Sequence, residues 1–175
     1  MLDKNNSYEQ MKLIQCFAIM GDYFSFELDG TVLNIRVLLF IRYKGGYLFE
    51  LNTEGYYFAI GGRVKFGESS SEAAIRELKE ELNYEGIELE LVGLIENFFL
   101  MGEKSVHEVN FVYGGEIKDE LNFSNLKSDH QGFSFLLPKD VMASDVRPKV
   151  LKELIPKLSS NTEEAGEFIH LVNRD

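Results

Sequence analysis

Three glutamates, Glu77, Glu80 and Glu81, crowd one face of a segment from about Ser70 to Leu82 that reads as a helix, with no lysine on that face. Residue 77 neighbours both 80 and 81 on a helix, so like charges stack, at a cost on the order of 0.2–0.5 kcal/mol per exposed pair. A solvated helix carries a cost that small, so the helix alone has an ordinary explanation. Clustered carboxylate oxygens also bind a hard divalent cation such as Mg2+. Just upstream, Gly61, Gly62 and Gly67 mark backbone that is bent tightly or approached closely. Glu68 and Arg76 complete the group.

Gly62 and Gly67 lie five apart and are followed by Glu68-Ser69, where a phosphate-binding P-loop would carry lysine. A carboxylate there repels bare phosphate, which excludes a P-loop NTPase. Loop and helix together read Gly62, five residues, Glu68, seven residues, then Arg76-Glu77-Leu78-x-Glu80-Glu81. This resembles the signature of the Nudix hydrolase family, G-x5-E-x7-REUxEExGU, where U is a bulky apolar residue. At ordinary residue frequencies such a match arises by chance with odds on the order of one in a million. That outweighs the ordinary readings of loop and helix. The segment departs from the pattern at Asn83, which replaces the usual glycine, with Tyr84 at the last apolar position. Asparagine is the next-best residue for the left-handed conformation that ends a helix. Ile60 replaces the proline often found before the glycine pair.

The resemblance implies a hydrolase that cleaves a nucleoside diphosphate linked to another moiety, with Mg2+ or Mn2+. It places metal binding on Glu77, Glu80 and Glu81, with a backbone carbonyl near Gly61 or Gly62. It makes Glu77 and Glu80 catalytic candidates, and Arg76 and Glu68 the residues that orient them. The family's general base is sometimes a glutamate on a later loop, so Glu103, Glu116, Glu120, Glu163 and Glu164 are candidates that spacing does not separate. Arg63, Arg42, Arg36 and Lys65 are candidate phosphate contacts, with Gly62 lining the same site. Tyr56, Tyr57, Phe58, Phe98 and Phe99 are candidate stacking surfaces for a nucleobase. A non-catalytic nucleotide sensor on the same fold is the alternative; such modules tend to lose these glutamates, and this chain keeps them.

The elements that must position these residues follow from pattern. Phe24 to Leu28 alternates, Asp29-Gly30 is the strongest short hairpin signal, and a long apolar strand follows to Tyr43. Lys44-Gly45-Gly46 turns into YLFEL, and Asn52 to Gly55 into YYFAI. Ser69 with Glu72 fits a capping box at the helix start. Ala74, Ile75, Leu78 and Leu82 fall on one stripe expected to face the core. Glu72, Arg76 and Glu80 are spaced as a salt-bridge ladder. Beyond Gly86 come strands at 87–100 and 106–117, a polar loop at 118–132, a strand FSFLL stopped by Pro138, a helix VLKELIPKL that Pro156 interrupts or ends, and a last strand EFIHLV. This order gives an α/β fold with a mixed β-sheet. The resemblance makes it an α/β/α sandwich, one domain over residues 1–175.

Composition bounds the rest. The chain has 175 residues, 45% of them hydrophobic and 27% charged, as in a globular protein. A net charge of −11 without a basic stripe argues against nucleic acid as a partner, including the 5′ end of RNA. No apolar run approaches the roughly 20 residues of a membrane span. Cys16 is the only cysteine, which suits a reducing cytoplasm. The apolar run Leu13 to Met20 is short and preceded by acidic residues, so it reads as buried structure rather than a leader. His107, His130 and His170 show no zinc spacing. The expected partner is a small nucleoside diphosphate derivative, and a homodimer is compatible.

Overall fold

The computed structural model describes residues 18–19, 21–123, 126, 132–159 and 168–175. Cys16, His130, Glu163, Glu164 and most of the run Leu13 to Met20 lie outside the described residues. The chain begins with strands β1 (Ala18–Ile19), β2 (Ser25–Leu28) and β3 (Thr31–Tyr43), followed by β4 (Gly46–Leu51), β5 (Tyr57–Phe58) and β6 (Ile60–Arg63). Helix α1 (Ser70–Leu82) leads to β7 (Glu90–Met101), β8 (Lys104–Ile117) and β9 (Gly132–Leu136). Then come α2 (Pro138–Ala143), β10 (Val146–Arg147), a 3-10 turn (Lys149–Glu153), α3 (Leu154–Ser159) and β11 (Ile169–Arg174).

Both expected hairpins form where the backbone tolerates positive φ at two successive positions. Asp29 and Gly30 take φ of 48° and 75°, and Lys44 and Gly45 take 47° and 82°. That twist matches the flanking strands. β3 is the hub of the sheet. Along one edge it pairs in parallel with β8, from Thr31 opposite Ser105 to Tyr43 opposite Ile117. Along the other it pairs antiparallel with β2, then β6, then the start of β4. β7 is antiparallel to β8, and β11 parallel to β7. The sheet is therefore mixed, as expected.

Alternation along β3 sorts its side chains onto two cores. Val37, Leu39, Ile41 and Tyr43 pack with Ala73, Ala74, Leu78 and Leu82 of α1. Leu38 and Phe40 pack on the other face with Val141, Leu151, Leu154 and Ile155 from the C-terminal helices. Helix layers thus cover both faces of the sheet, giving the α/β/α sandwich. Two expectations need correcting. Ile75 is 58% exposed, while Ala73 and Glu77 are buried. The buried stripe is rotated toward Glu77, because two alanines let the helix approach the sheet there, which turns Ile75 outward. Pro156 does not end the helical segment: VLKELIPKL divides into the 3-10 turn to Glu153 and then α3, with Pro156 in the first turn of α3, where a missing N–H is tolerated.

Candidate active site

The site is built at the junction of β6 and α1. Ser69 caps α1: its hydroxyl accepts from the Glu72 N–H at 3.2 Å, and Glu72 Oε2 accepts from the Ser69 N–H at 2.8 Å. Asn83 ends the helix at φ 46° and ψ 40°, so the family's glycine is replaced without loss of the left-handed cap. The capping box uses up the Glu72 carboxylate. The expected ladder therefore keeps only its second rung, Arg76 to Glu80 at 3.0 Å.

Arg76 organises the cluster. Its Nε and Nη2 grip Glu68 at 2.7 and 3.0 Å as a fork, and Nη2 also donates to the Arg63 carbonyl at 3.0 Å. Its Nη1 reaches Glu77 Oε1 at 2.6 Å and Glu80 Oε2 at 3.0 Å. Two of the glutamates that looked uncompensated, Glu77 and Glu80, thus share one cation with Glu68, and that cation is itself mostly shielded from water. These bonds, with Glu68 first, raise the Arg76 pKa far above its ordinary value. A hydrogen bond from Arg76, then one from the Lys65 N–H, hold Glu68 below the usual carboxylate value against the opposing effect of burial.

That shift carries a prediction with a definite sign. A carboxyl whose folded pKa is depressed stabilises the protein above its unfolded value and loses the contribution as pH falls through the folded one. The melting temperature of the protein should exceed that of Glu68→Gln by a constant margin above about pH 5. The margin should shrink only as pH drops below 4.5, the ordinary value for this group. A margin that grew on acidification would contradict the assigned interaction.

Gly62 faces α1, and a Cβ there would overlap the Glu77 carboxylate. The glycine is therefore the floor of a cradle that lets Glu77, only 7% exposed, lie against β6. Glu81 Oε2 is closed off from solvent, whereas Glu80 is half-exposed, its Oε1 4.0 Å from Lys65 Nζ. Among the described residues, no three histidine, cysteine or acidic side chains converge as they stand on one point suited to a metal. The donor chemistry nevertheless fits a hard cation, since every candidate ligand is an oxygen. Arg76 binds one oxygen of Glu77 and one of Glu80, leaving each a second.

Not every sequence candidate comes to this junction. Glu68, Arg76, Glu77, Glu80, Glu81 and Gly62 do, and Lys65 reaches Glu80; Arg63 brings its carbonyl there, while its side chain lies over the Tyr23 ring on the sheet face turned away from α1. Arg42 does not: it leaves β3 on the face of Leu38 and Phe40 and pairs with Glu116 at 3.8 Å. Glu116 and Glu120 are held at that far end, Glu120 by Lys44 at 2.7 Å, and Glu103 is exposed in the β7–β8 turn. Phe98 is stacked on His107 at 4.1 Å beneath the Arg174 guanidinium, and Tyr56 lies under Arg147. Tyr57 packs against the core. Sequence reasoning did not single out two shielded carboxylates, Glu50 on β4 and Glu108 on β8, 3% and 13% exposed. The available signal was a charge at an inward position of an otherwise apolar strand.

Comparison with known proteins agrees with the fold. The family model described as NUDIX domain matches residues 32–158. No curated protein matches the chain. Among solved structures, a MutT protein from Methanosarcina mazei Go1 is similar at 22% identity and a TM-score of 0.53, covering 73% of this chain and 93% of its own. An Ap4A hydrolase from C. elegans is similar at 21% identity and a TM-score of 0.52, covering 72% and 95%. The dihydroneopterin triphosphate pyrophosphohydrolase of E. coli is similar at 17% identity and a TM-score of 0.58, covering 73% and 96%. At these identities the likeness is one of fold.

Proposed function

Because the chain belongs to the Nudix family of pyrophosphohydrolases, we propose that it hydrolyses the diphosphate of a small nucleoside diphosphate derivative, with Mg2+ or Mn2+, at the β6–α1 junction. The observation that carries this reading is the Arg76 hub, which binds Glu68, Glu77 and Glu80 together beside the glycine cradle. Glu77, Glu80 and Glu81, with a carbonyl of Gly61 or Gly62, would hold the cation. When bound, the cation supplies positive charge against the diphosphate and acidifies water.

The chain's own residues do the rest. Arg76 fixes Glu77 by Oε1, so that Oε2 is the oxygen left to take a proton from the attacking water. Glu68 fixes Arg76 in turn, and its bond from the Lys65 N–H ties that fork to the loop. Arg63 at the end of β6 and Lys65 two residues beyond it, both beside the Tyr23 ring, would meet the phosphates as cations. Holding reactants and catalytic groups in register is itself a large part of such catalysis. The reading takes residues 1–175 as one domain, acting in the cytoplasm without nucleic acid. Among the described residues, no helix is long and apolar enough to cross a membrane.

A panel of nucleoside triphosphates, ADP-ribose, dinucleoside polyphosphates and sugar nucleotides tests the proposal. Phosphate-releasing or product-resolved assays should show turnover of at least one, abolished by chelator and restored by Mg2+ or Mn2+. Turnover indifferent to chelator would overturn it. Tight nucleotide binding without cleavage would instead identify a sensor.

A further inference from the structure

On the sheet face turned away from α1, one row is polar along its whole length. Ser25, Asn34, Glu108, Asn97 and Asn173 are paired in order across β2, β3, β8, β7 and β11. Their side chains form a continuous run of hydrogen bonds. Ser25 Oγ donates to Asn34 Oδ1 at 2.6 Å, and Asn34 Nδ2 to Glu108 Oε1 at 3.4 Å. Asn97 Nδ2 donates to Glu108 Oε2 at 3.3 Å, and Asn173 Nδ2 to Asn97 Oδ1 at 2.9 Å. The next row sets Arg63 directly opposite Arg36, and the one after returns to Leu38 and Val112.

Two arginines facing each other across an antiparallel pair repel. Arg36 has Glu108 at 3.8 Å, but Arg63 has only the Tyr23 ring, 4.7 Å below it, among the described residues. Lys65 continues the series, 6.0 Å from the same ring and 4.0 Å from Glu80. In a chain of net charge −11, a cationic strip thus runs from the glutamates of α1 to the polar row. An anionic ligand relieves that repulsion, and Glu108 stands at the strip's far end.

Glu108 is the carboxylate of the row; its two oxygens accept long amide contacts, near the outer limit for a hydrogen bond, and Oε1 also lies 3.8 Å from Arg36 Nε. Each keeps acceptor capacity, and the best complement to a carboxylate is a pair of parallel N–H donors. Of the common nucleobases, guanine has a ring N–H beside an amino group on its Watson–Crick edge. Adenine and cytosine set an acceptor next to the amino group, and uracil flanks one N–H with carbonyls.

We propose that Glu108 reads the N1–H and 2-amino edge of a guanine nucleotide whose phosphates lie toward Arg63 and Lys65, so that the diphosphate cleaved is a guanosine derivative. The assignment rests on the hydrolase reading for its second clause only. Calorimetric titration of the full chain with GDP, IDP and ADP, Mg2+ present, tests it. IDP differs from GDP by the 2-amino group alone. GDP should bind about ten- to a hundredfold more tightly than IDP, the usual contribution of a hydrogen bond to a charged acceptor. Glu108→Gln, which keeps an acceptor for one neighbouring asparagine, should bring the ratio close to one. Equal affinity for the three nucleotides, no binding at all, or a preference that survives Glu108→Gln would overturn the assignment. The wild-type ratio decides even where the variant folds poorly. Cleavage measured in parallel separates the two readings. Guanine preference with no cleavage of any nucleoside triphosphate, dinucleoside polyphosphate or sugar nucleotide sinks the hydrolase and leaves the base assignment, whereas cleavage without preference does the reverse.

Discussion

Glu77→Gln should lower kcat/KM by more than about a hundredfold while leaving the melting temperature within a degree or two. Removing a partner that merely supports a metal ligand already costs about ten- to a hundredfold, and Glu77 is placed to be a ligand itself. Its Oε1 accepts from Arg76 at 2.6 Å, and its carboxylate rests on Gly62. Glutamine keeps the shape and an oxygen for Arg76, so the fold is retained. What is lost is the negative charge and the second carboxylate oxygen. Mn2+ affinity, read by paramagnetic resonance, should fall in parallel with activity. Full activity with unchanged Mn2+ affinity would remove Glu77 from the centre and the proposed site with it.

The two adjacent glycines should fail in opposite ways. Gly61 sits at φ 144°, and a Cβ there would drive into the backbone carbonyl of Val37. Neither the strained conformation nor the paired strand can give way, so Gly61→Ala should destabilise the fold by about 3 kcal/mol or more, from strain and overpacking together. At Gly62 the atoms nearest the Cβ would be those at the end of the Glu77 side chain, which can swing aside. Gly62→Ala should therefore stay folded and lose activity about as far as Glu77→Gln does. Urea unfolding and steady-state kinetics on both variants check the contrast. A folded, active Gly62→Ala would show that the cradle has no bearing on the reaction.

The signature segment was legible because it is local. From Gly62 to Tyr84 the spacing lies within one loop and one helix, whose geometry depends on residues a few positions apart. The capping box at Ser69, the hairpin at Asp29-Gly30 and the cap at Asn83 followed for the same reason. Where local rules met tertiary packing they failed. The stripe that included Ile75 assumed that hydrophobicity alone orients α1, but the small side chains of Ala73 and Ala74 turn Glu77 toward the sheet instead. The Glu72 rung failed because the cap claimed its carboxylate first. Arg42 was near the signature in sequence, yet strand alternation sent it to the other face and the far end of β3.

The sequence by itself determined the family signature, the mixed α/β order and the candidate residues for a cation, since each is written in short-range spacing and residue type. Only the tertiary structure decided that Arg76 compensates three glutamates at once, because Glu68 comes to it across the loop. Only the structure assembled the row from Ser25 to Asn173, whose members lie on five strands. Sheet register joins residues far apart in the chain through backbone hydrogen bonds, which no side-chain pattern within one strand records.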